Sequence, residues 1–267
     1  MVNQKGNQLF QELLDTIPTY LLDISTFLIF LLFFEIGYLI GKYRRSKDAE
    51  KSDAAISPAT ASILGLFAFL IAFTFNLSAQ KLDTRKQNVL IEANAIGTAH
   101  LRADLLQDPY RSRIKDLLRE YTDVRLKIAS AEKEKRVEYL AKSLEIQDLL
   151  WDEAVMASKD ANDAATKLVI ESLNEVFDMH STRVAASIYN RIAGNIWLML
   201  FAVGVLGMLM TGVQNGIYGP RRYIAIIPLI LVFTLVFALI EDMDNHARGL
   251  FKVGQQPLVD VKKSISE

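Results

Sequence analysis

Leu21–Gly41 (LLDISTFLIFLLFFEIGYLIG) and Ala61–Ala79 (ASILGLFAFLIAFTFNLSA) decide the fold. Each lies in the range of ~17–25 residues that a helix needs to cross ~30 Å of hydrocarbon. Two further apolar runs, Ile196–Thr211 and Tyr223–Ile240, follow late in the chain, the former slightly short and borrowing from its flanks. The four runs predict an integral membrane protein with two helical hairpins, 21–79 and 196–240. An amino tail (1–20), a charged middle (80–195) and a carboxyl tail (241–267) complete the expected division.

The chain is 51% hydrophobic and 23% charged, so its charge must be kept out of the spans. Only Lys42–Asp53 and Arg221–Arg222 carry charge between the partners of a hairpin, and most of the rest lies in the middle. Residues 80–190 hold 17 Lys and Arg against 19 Asp and Glu, which offers no basic face to nucleic acid. Cysteine is absent, which removes disulfides, thiolate catalysis and thiolate metal sites. The first run is followed by basic residues instead of a small-residue cleavage site, so it reads as a retained anchor. Ahead of it, Phe10, Leu13, Leu14 and Ile17 stand at helical spacing; they read as an interfacial amphipathic helix or as a disordered tail with scattered apolar residues.

No Gly or Pro interrupts Tyr110–Ala193, a stretch of 84 residues rich in Ala, Leu, Glu, Lys and Arg. Those are strong helix formers, so the middle reads as about four helices. Asp108-Pro109 marks the start of one, and turns are expected near Ala129–Lys135 and Ala157–Asp163. The expected fold class is all-α: four transmembrane helices in two hairpins, with a central extramembrane bundle or stalk continuous with spans two and three. Short-loop Lys/Arg excess marks the cytoplasmic side. Lys42, Arg44, Arg45, Lys47, Arg221 and Arg222 therefore place the short loops in the cytoplasm and the middle on the outer side of the membrane. Lys81, Arg85, Lys86, Arg183 and Arg191 count against that orientation.

Several residues are candidates for function. Glu35 lies inside span one, where a carboxylate costs a few kcal/mol and should face protein or water. It is read either as part of an ion or proton pathway or as a packing residue, while Asp23 can snorkel to the interface. In span two, Ser62, Leu66, Phe69, Phe73, Asn76 and Gln80 share one helical face. An aromatic constriction at Phe69 and Phe73 opening to amides at Asn76 and Gln80 is what a dewetting gate over a hydrated mouth needs, although aromatics at this spacing also serve plain packing. Beyond it, the small side chains of Ala93, Ala95, Gly97 and Ala99 allow close helix approach, with Asn94 and Thr98 able to hydrogen-bond across the contact. Glu241, Asp242 and Asp244, with His246 nearby, form an acidic group that suits a hard cation but lacks EF-hand spacing; a solvated helix end is the alternative. His100 and His180 stand in no recognised metal pattern. No hydrolase elbow, phosphate loop or dinucleotide fingerprint occurs, which points away from catalysis and implies no cofactor.

Phe73-Thr-Phe-Asn-Leu-Ser78, Glu92-Ala-Asn-Ala-Ile-Gly-Thr-Ala99, Leu101-Arg-Ala-Asp-Leu-Leu106, Leu173-Asn-Glu-Val-Phe-Asp178 with His180 and Arg183, and Gly254-Gln-Gln-Pro-Leu-Val-Asp260 together carry a resemblance. Over about residues 20–262 the chain resembles the four-span bacterial membrane proteins described by a bestrophin-like domain. It departs from that pattern at Asp242-Met-Asp-Asn-His246, where the family often has Asp-x-Asp-Arg-Pro, and near Ala193, where a proline is often found. True bestrophins are pentameric anion channels with an aromatic neck, cytosolic bulk and an acidic calcium clasp. The resemblance therefore implies an oligomeric channel in the lipid bilayer, self-associating and passing an inorganic anion, and it sets the middle region in the cytosol. The competing expectation is a non-conducting, membrane-anchored protein that senses envelope state or recruits a partner through its central helices.

Overall fold

A computed structural model describes residues 17–47, 56–161, 163–188, 191–245 and 251–266. The proposed amphipathic positions Phe10, Leu13 and Leu14 lie outside the described residues, as does His246. Among the described residues the chain is all-helical: α1 (Thr19–Lys47), α2 (Ile56–Ala103), α3 (Tyr110–Ser130), α4 (Lys133–Asp160), α5 (Ala164–Ile188), α6 (Gly194–Tyr218), α7 (Tyr223–Asp244) and α8 (Gln256–Ser266). Four of them, α1, α2, α6 and α7, are long and apolar enough to cross a membrane.

The helices fall into two compact units, one of residues 1–82 with 191–252 and one of 83–190 with 253–267. Helix α2 runs unbroken through 48 residues, more than twice what the hydrocarbon requires. Span three begins differently from expectation. Arg191–Ala193 are not helical, and α6 starts afresh at Gly194, so span three does not simply extend α5. The breaks of the middle region include Ala131–Glu132, Ala161 and Asp163, inside the expected windows.

In the membrane unit, α1 and α6 pack backbone against backbone. A methyl placed on Gly37 would lie 2.0 Å from the Leu209 carbonyl oxygen, and one on Gly212 would lie 2.0 Å from that of Phe34. Gly41 and Gly216 repeat the relation one turn along, against Val213 and Tyr38. Two Gly-x-x-x-Gly steps, Gly37–Gly41 and Gly212–Gly216, thus face each other, and only glycine admits such an approach. Deeper in the span, Gly204 leaves room for the rings of Phe30 and Phe67. Those two meet edge to face at 6.2 Å, and Phe67 tilts onto Phe233 at 4.7 Å. Only 28%, 22%, 39% and 28% of the most apolar windows of α1, α2, α6 and α7 are buried within the subunit, so most of the span surface is left for lipid or neighbouring subunits.

The second unit has its own core. Ala99, Ala103, Ile114 and Leu118 pack with Ile146, Leu150, Val169, Leu173 and Val176. Helix α8 closes it through Leu258 and Ile265, and Lys262 reaches Asp123 at 2.7 Å. The carboxyl tail therefore contributes a packed helix to this unit.

Gly212→Ala should destabilise the detergent-solubilised protein by about 1–3 kcal/mol or more, because the added methyl must push two backbones apart. Gly65→Ala, where a methyl meets nothing within 4 Å, is the matched control and should leave the melting temperature unchanged. Equal melting temperatures for the two variants would show that α1 and α6 are not in backbone contact.

Candidate functional site

Span two presents two faces. Phe67, Ile71, Thr74 and Ser78 point into the membrane unit, where Ser78 Oγ donates to the Ile240 carbonyl at 3.0 Å. Ser62, Leu66, Phe69, Phe73, Asn76 and Gln80 lie on the opposite side and are all exposed, Phe69 by 65% and Phe73 by 54%. The aromatic-to-amide face is thus the face that the subunit does not cover.

Glu35 has a partner that its place in the sequence conceals. Arg221 Nε donates to Glu35 Oε2 at 3.1 Å, and the Tyr223 hydroxyl donates to Oε1 at 2.8 Å. The Arg221 guanidinium also sits 4.6 Å from the centre of the Tyr38 ring. Arg221 belongs to the short loop before α7, so the carboxylate is held toward the loop end of its helix and engaged in an ion pair.

The acidic group at the end of span four disperses. Asp244, buried, accepts the Ile192 N–H at 2.9 Å and stands 3.6 Å from Arg191, while Asp242 accepts the Phe251 N–H at 3.1 Å. Among the described residues no three His, Asp or Glu side chains are placed to hold a metal ion, so Glu241, Asp242 and Asp244 do not converge on one. Asp244 instead secures the non-helical residues that precede span three.

Of the small-residue motif, Ala93 is buried, Thr98 is half-buried and Asn94 is exposed. A methyl on Gly97 would lie 3.3 Å from the Val261 side chain, so the neighbour admitted at this glycine is α8 of the same chain.

The most organised polar group in the second unit is one that local sequence patterns do not announce. Glu92, fully buried on α2, receives Arg125 Nε at 2.7 Å and the Tyr121 hydroxyl at 3.1 Å on one oxygen, and Arg183 on the other. Tyr121 is also 3.3 Å from His180 Nδ1 and receives Gln147 Nε2 at 3.5 Å. Arg183 donates onward to Gln255 Oε1 at 3.2 Å. Residues of α2, α3 and α5 thus meet at one carboxylate, and α4 and the segment before α8 join through Tyr121 and Arg183. Burial raises the Tyr121 hydroxyl above the usual phenol range, with the Glu92 charge adding to it, so the hydroxyl keeps its proton and donates. Burial, with Arg125 beside it, pushes His180 down to about 4 and leaves it neutral at physiological pH. Three of the segments behind the family resemblance, those containing Glu92, His180 with Arg183, and Gln255, supply members of this group. Tyr121 and Arg125, 29 and 33 residues beyond Glu92, were not among the candidates.

His180 gives the protein an acid sensitivity of known sign. Between its folded value of about 4 and its unfolded value near 6.5, the unfolded chain binds the extra proton, so stability falls as pH falls through that window. The slope from this residue is at most about 1.4 kcal/mol per pH unit, and its contribution is fully present above pH ~6.5. Melting temperatures from pH 7.5 to 4.5 should drop for wild type and drop less steeply for His180→Gln. Identical slopes would remove His180 from the account.

Comparison with solved structures finds the same fold. Crystal structures of two mutant forms of a bacterial bestrophin homologue from Klebsiella pneumoniae are each 14% identical to this chain, with TM-scores of 0.57 and 0.58, over 91% of this chain and 97% of theirs. A crystal structure described as a membrane protein aligns at TM-score 0.58 and 14% identity over 93% of this chain and 97% of its own. No curated protein matches by sequence. The model of the bestrophin-like domain matches residues 27–258, which is most of the chain, and the protein belongs to the bestrophin-like family.

Proposed function

We propose that this protein is a homo-oligomeric anion channel in which α2 of each subunit faces a shared pore, Phe69 and Phe73 form the constriction, and Asn76 and Gln80 line its polar mouth. The observation that carries this reading is the outward display of those four side chains on a helix whose other face is packed. An exposed amide such as Asn76 inside an apolar span is costly against lipid and is relieved by water or by a neighbouring subunit. Assembly has independent support in the second unit, where Leu90, Ile91 and Leu101 (70% exposed) of α2 and Leu105 in the turn beyond it lie uncovered. Apolar surface of that kind outside the bilayer is stabilised when another copy buries it. Anion preference rests on membership of the bestrophin-like family and on its resemblance to true bestrophins.

Purified protein reconstituted in planar bilayers should conduct, and Phe73→Ala should raise the unitary conductance by widening the constriction. Silence from both proteins would overturn the channel reading.

For orientation, the reading places the two short loops in the cytoplasm and the second unit in the periplasm, supported by the exposed basic side chains of Lys42, Arg44 and Arg45 at the end of α1. The chain has no background thiol, so single cysteines report cleanly. Glu138→Cys, exposed on α4, should react with an impermeant maleimide in intact spheroplasts while Ser46→Cys is protected. The reverse pattern would set the second unit in the cytosol, as in true bestrophins.

A further inference from the structure

Among the described residues, two buried donors on the helices that meet at Glu92 have no acceptor. Arg125 is only 3% exposed, and its Nη1 has no hydrogen-bond partner. Asn88 is 7% exposed, and its Nδ2 has none either. Helices α2 and α3 are joined by a short turn and run antiparallel: Asp104 pairs with Lys115, and further back along α2 Glu92 meets Tyr121 and Arg125. Asn88 stands one turn before Glu92, and Arg125 one turn after Tyr121, so the register brings position 88 to the Arg125 end of the contact. Two unmet donors on facing helices therefore lie in one neighbourhood.

A buried donor without an acceptor costs about 1–3 kcal/mol, and more when it is charged. Native interiors satisfy such groups with protein, water or an ion. Both orphans here are N–H donors, so whatever fills the position must accept from each. The charge distribution selects among acceptors. Glu92 divides its single negative charge between Arg125 and Arg183, and Arg125 contacts it through Nε alone. The flanking Tyr121 hydroxyl and His180 imidazole add no negative charge. The Nη1 side of Arg125 is thus a desolvated positive pole, with a second unmet donor about one turn along the facing helix, and this favours an anion over a water molecule.

We infer that the extramembrane unit holds a small monovalent anion, of the size of chloride, between Arg125 Nη1 and Asn88 Nδ2. This site is separate from the span-two face and stands whether or not that face conducts. Its occupant stabilises the junction of α2 and α3, so the fold of the unit becomes dependent on the anion concentration around it.

The test uses full-length detergent-solubilised protein at fixed ionic strength, with chloride replacing gluconate. Wild type should show a saturable rise in melting temperature of several degrees. Asn88→Asp supplies a carboxylate beside Arg125 in place of the anion, and it should melt at the same temperature in both salts. Asn88→Leu, which removes one donor, should shift the chloride midpoint upward by tenfold or more. A wild type indifferent to chloride would overturn the proposal, as would an Asn88→Asp protein that still responds. Bromide soaked into crystals of the wild type is the check that needs no variant. An anomalous peak within hydrogen-bond distance of Arg125 Nη1 supports the site; water or a turned Asn88 amide at that position, with no peak, refutes it.

Discussion

The contact between the α1 and α6 backbones is the constraint on which the membrane unit depends. Lipid tails are as apolar as leucine, so spans gain nothing from hiding apolar side chains from one another, and close van der Waals packing has to supply the association. Gly37, Gly41, Gly212 and Gly216 let the two backbones approach until carbonyl oxygens touch the facing helix. Gly204 extends this by admitting Phe30 and Phe67, and the aromatic cluster with Phe201, Phe233 and Phe237 grows around them. Helix α2 joins this body through a single face, that of Phe67, Ile71, Thr74 and Ser78. Its outward aromatic and amide face is therefore a consequence of where the glycines are.

The second unit is organised by electrostatics of the opposite kind. Glu92 is buried with two guanidiniums, and desolvating such ions consumes most of what their attraction returns. Removing one partner of a buried pair costs about 3–5 kcal/mol, because the other is stranded. The group is therefore specific more than it is strong: it accepts one arrangement of α2, α3 and α5 and penalises the rest. Tyr121 shows why the details matter. Its hydroxyl can donate to Glu92 only because it stays protonated, and His180 lies on its other side as a neutral ring.

Span number, helical class and the breaks near residues 131 and 161 were legible because each is a local property, set by apolar length or by a lapse in periodicity. The exposed face of α2 was legible for the same reason, since residues at three- and four-step spacing share a side whatever surrounds them. The Gly-x-x-x-Gly spacing stood in both spans, but nothing in either says which partner it meets. Glu35 looked central because apolar residues flank it on both sides, whereas its carboxylate is engaged by Arg221, 186 residues away. The Glu92 group was least legible of all. Its members at 92, 121, 125, 147, 180, 183 and 255 follow no common period, and only the tertiary fold brings them together. The acidic run at 241–244 misled in the opposite sense. Proximity in sequence did not bring its carboxylates onto one cation: Asp242 accepts from the Phe251 amide and Asp244 from the Ile192 amide, 52 residues earlier.

The ion pair at Glu35 also changes how the loop charges weigh on orientation. Arg221 sits beside a carboxylate and over the Tyr38 ring, so in the folded protein its charge is bound up within the membrane unit. Lys42 and Arg45 are exposed at the end of the first span. Charge bias acts as segments insert, and the first helix usually dominates the outcome. Span one therefore carries both a basic end and, at Glu35, the carboxylate that pairs with Arg221. Gly37 and Gly41 then fix which helix of the second hairpin docks on span one.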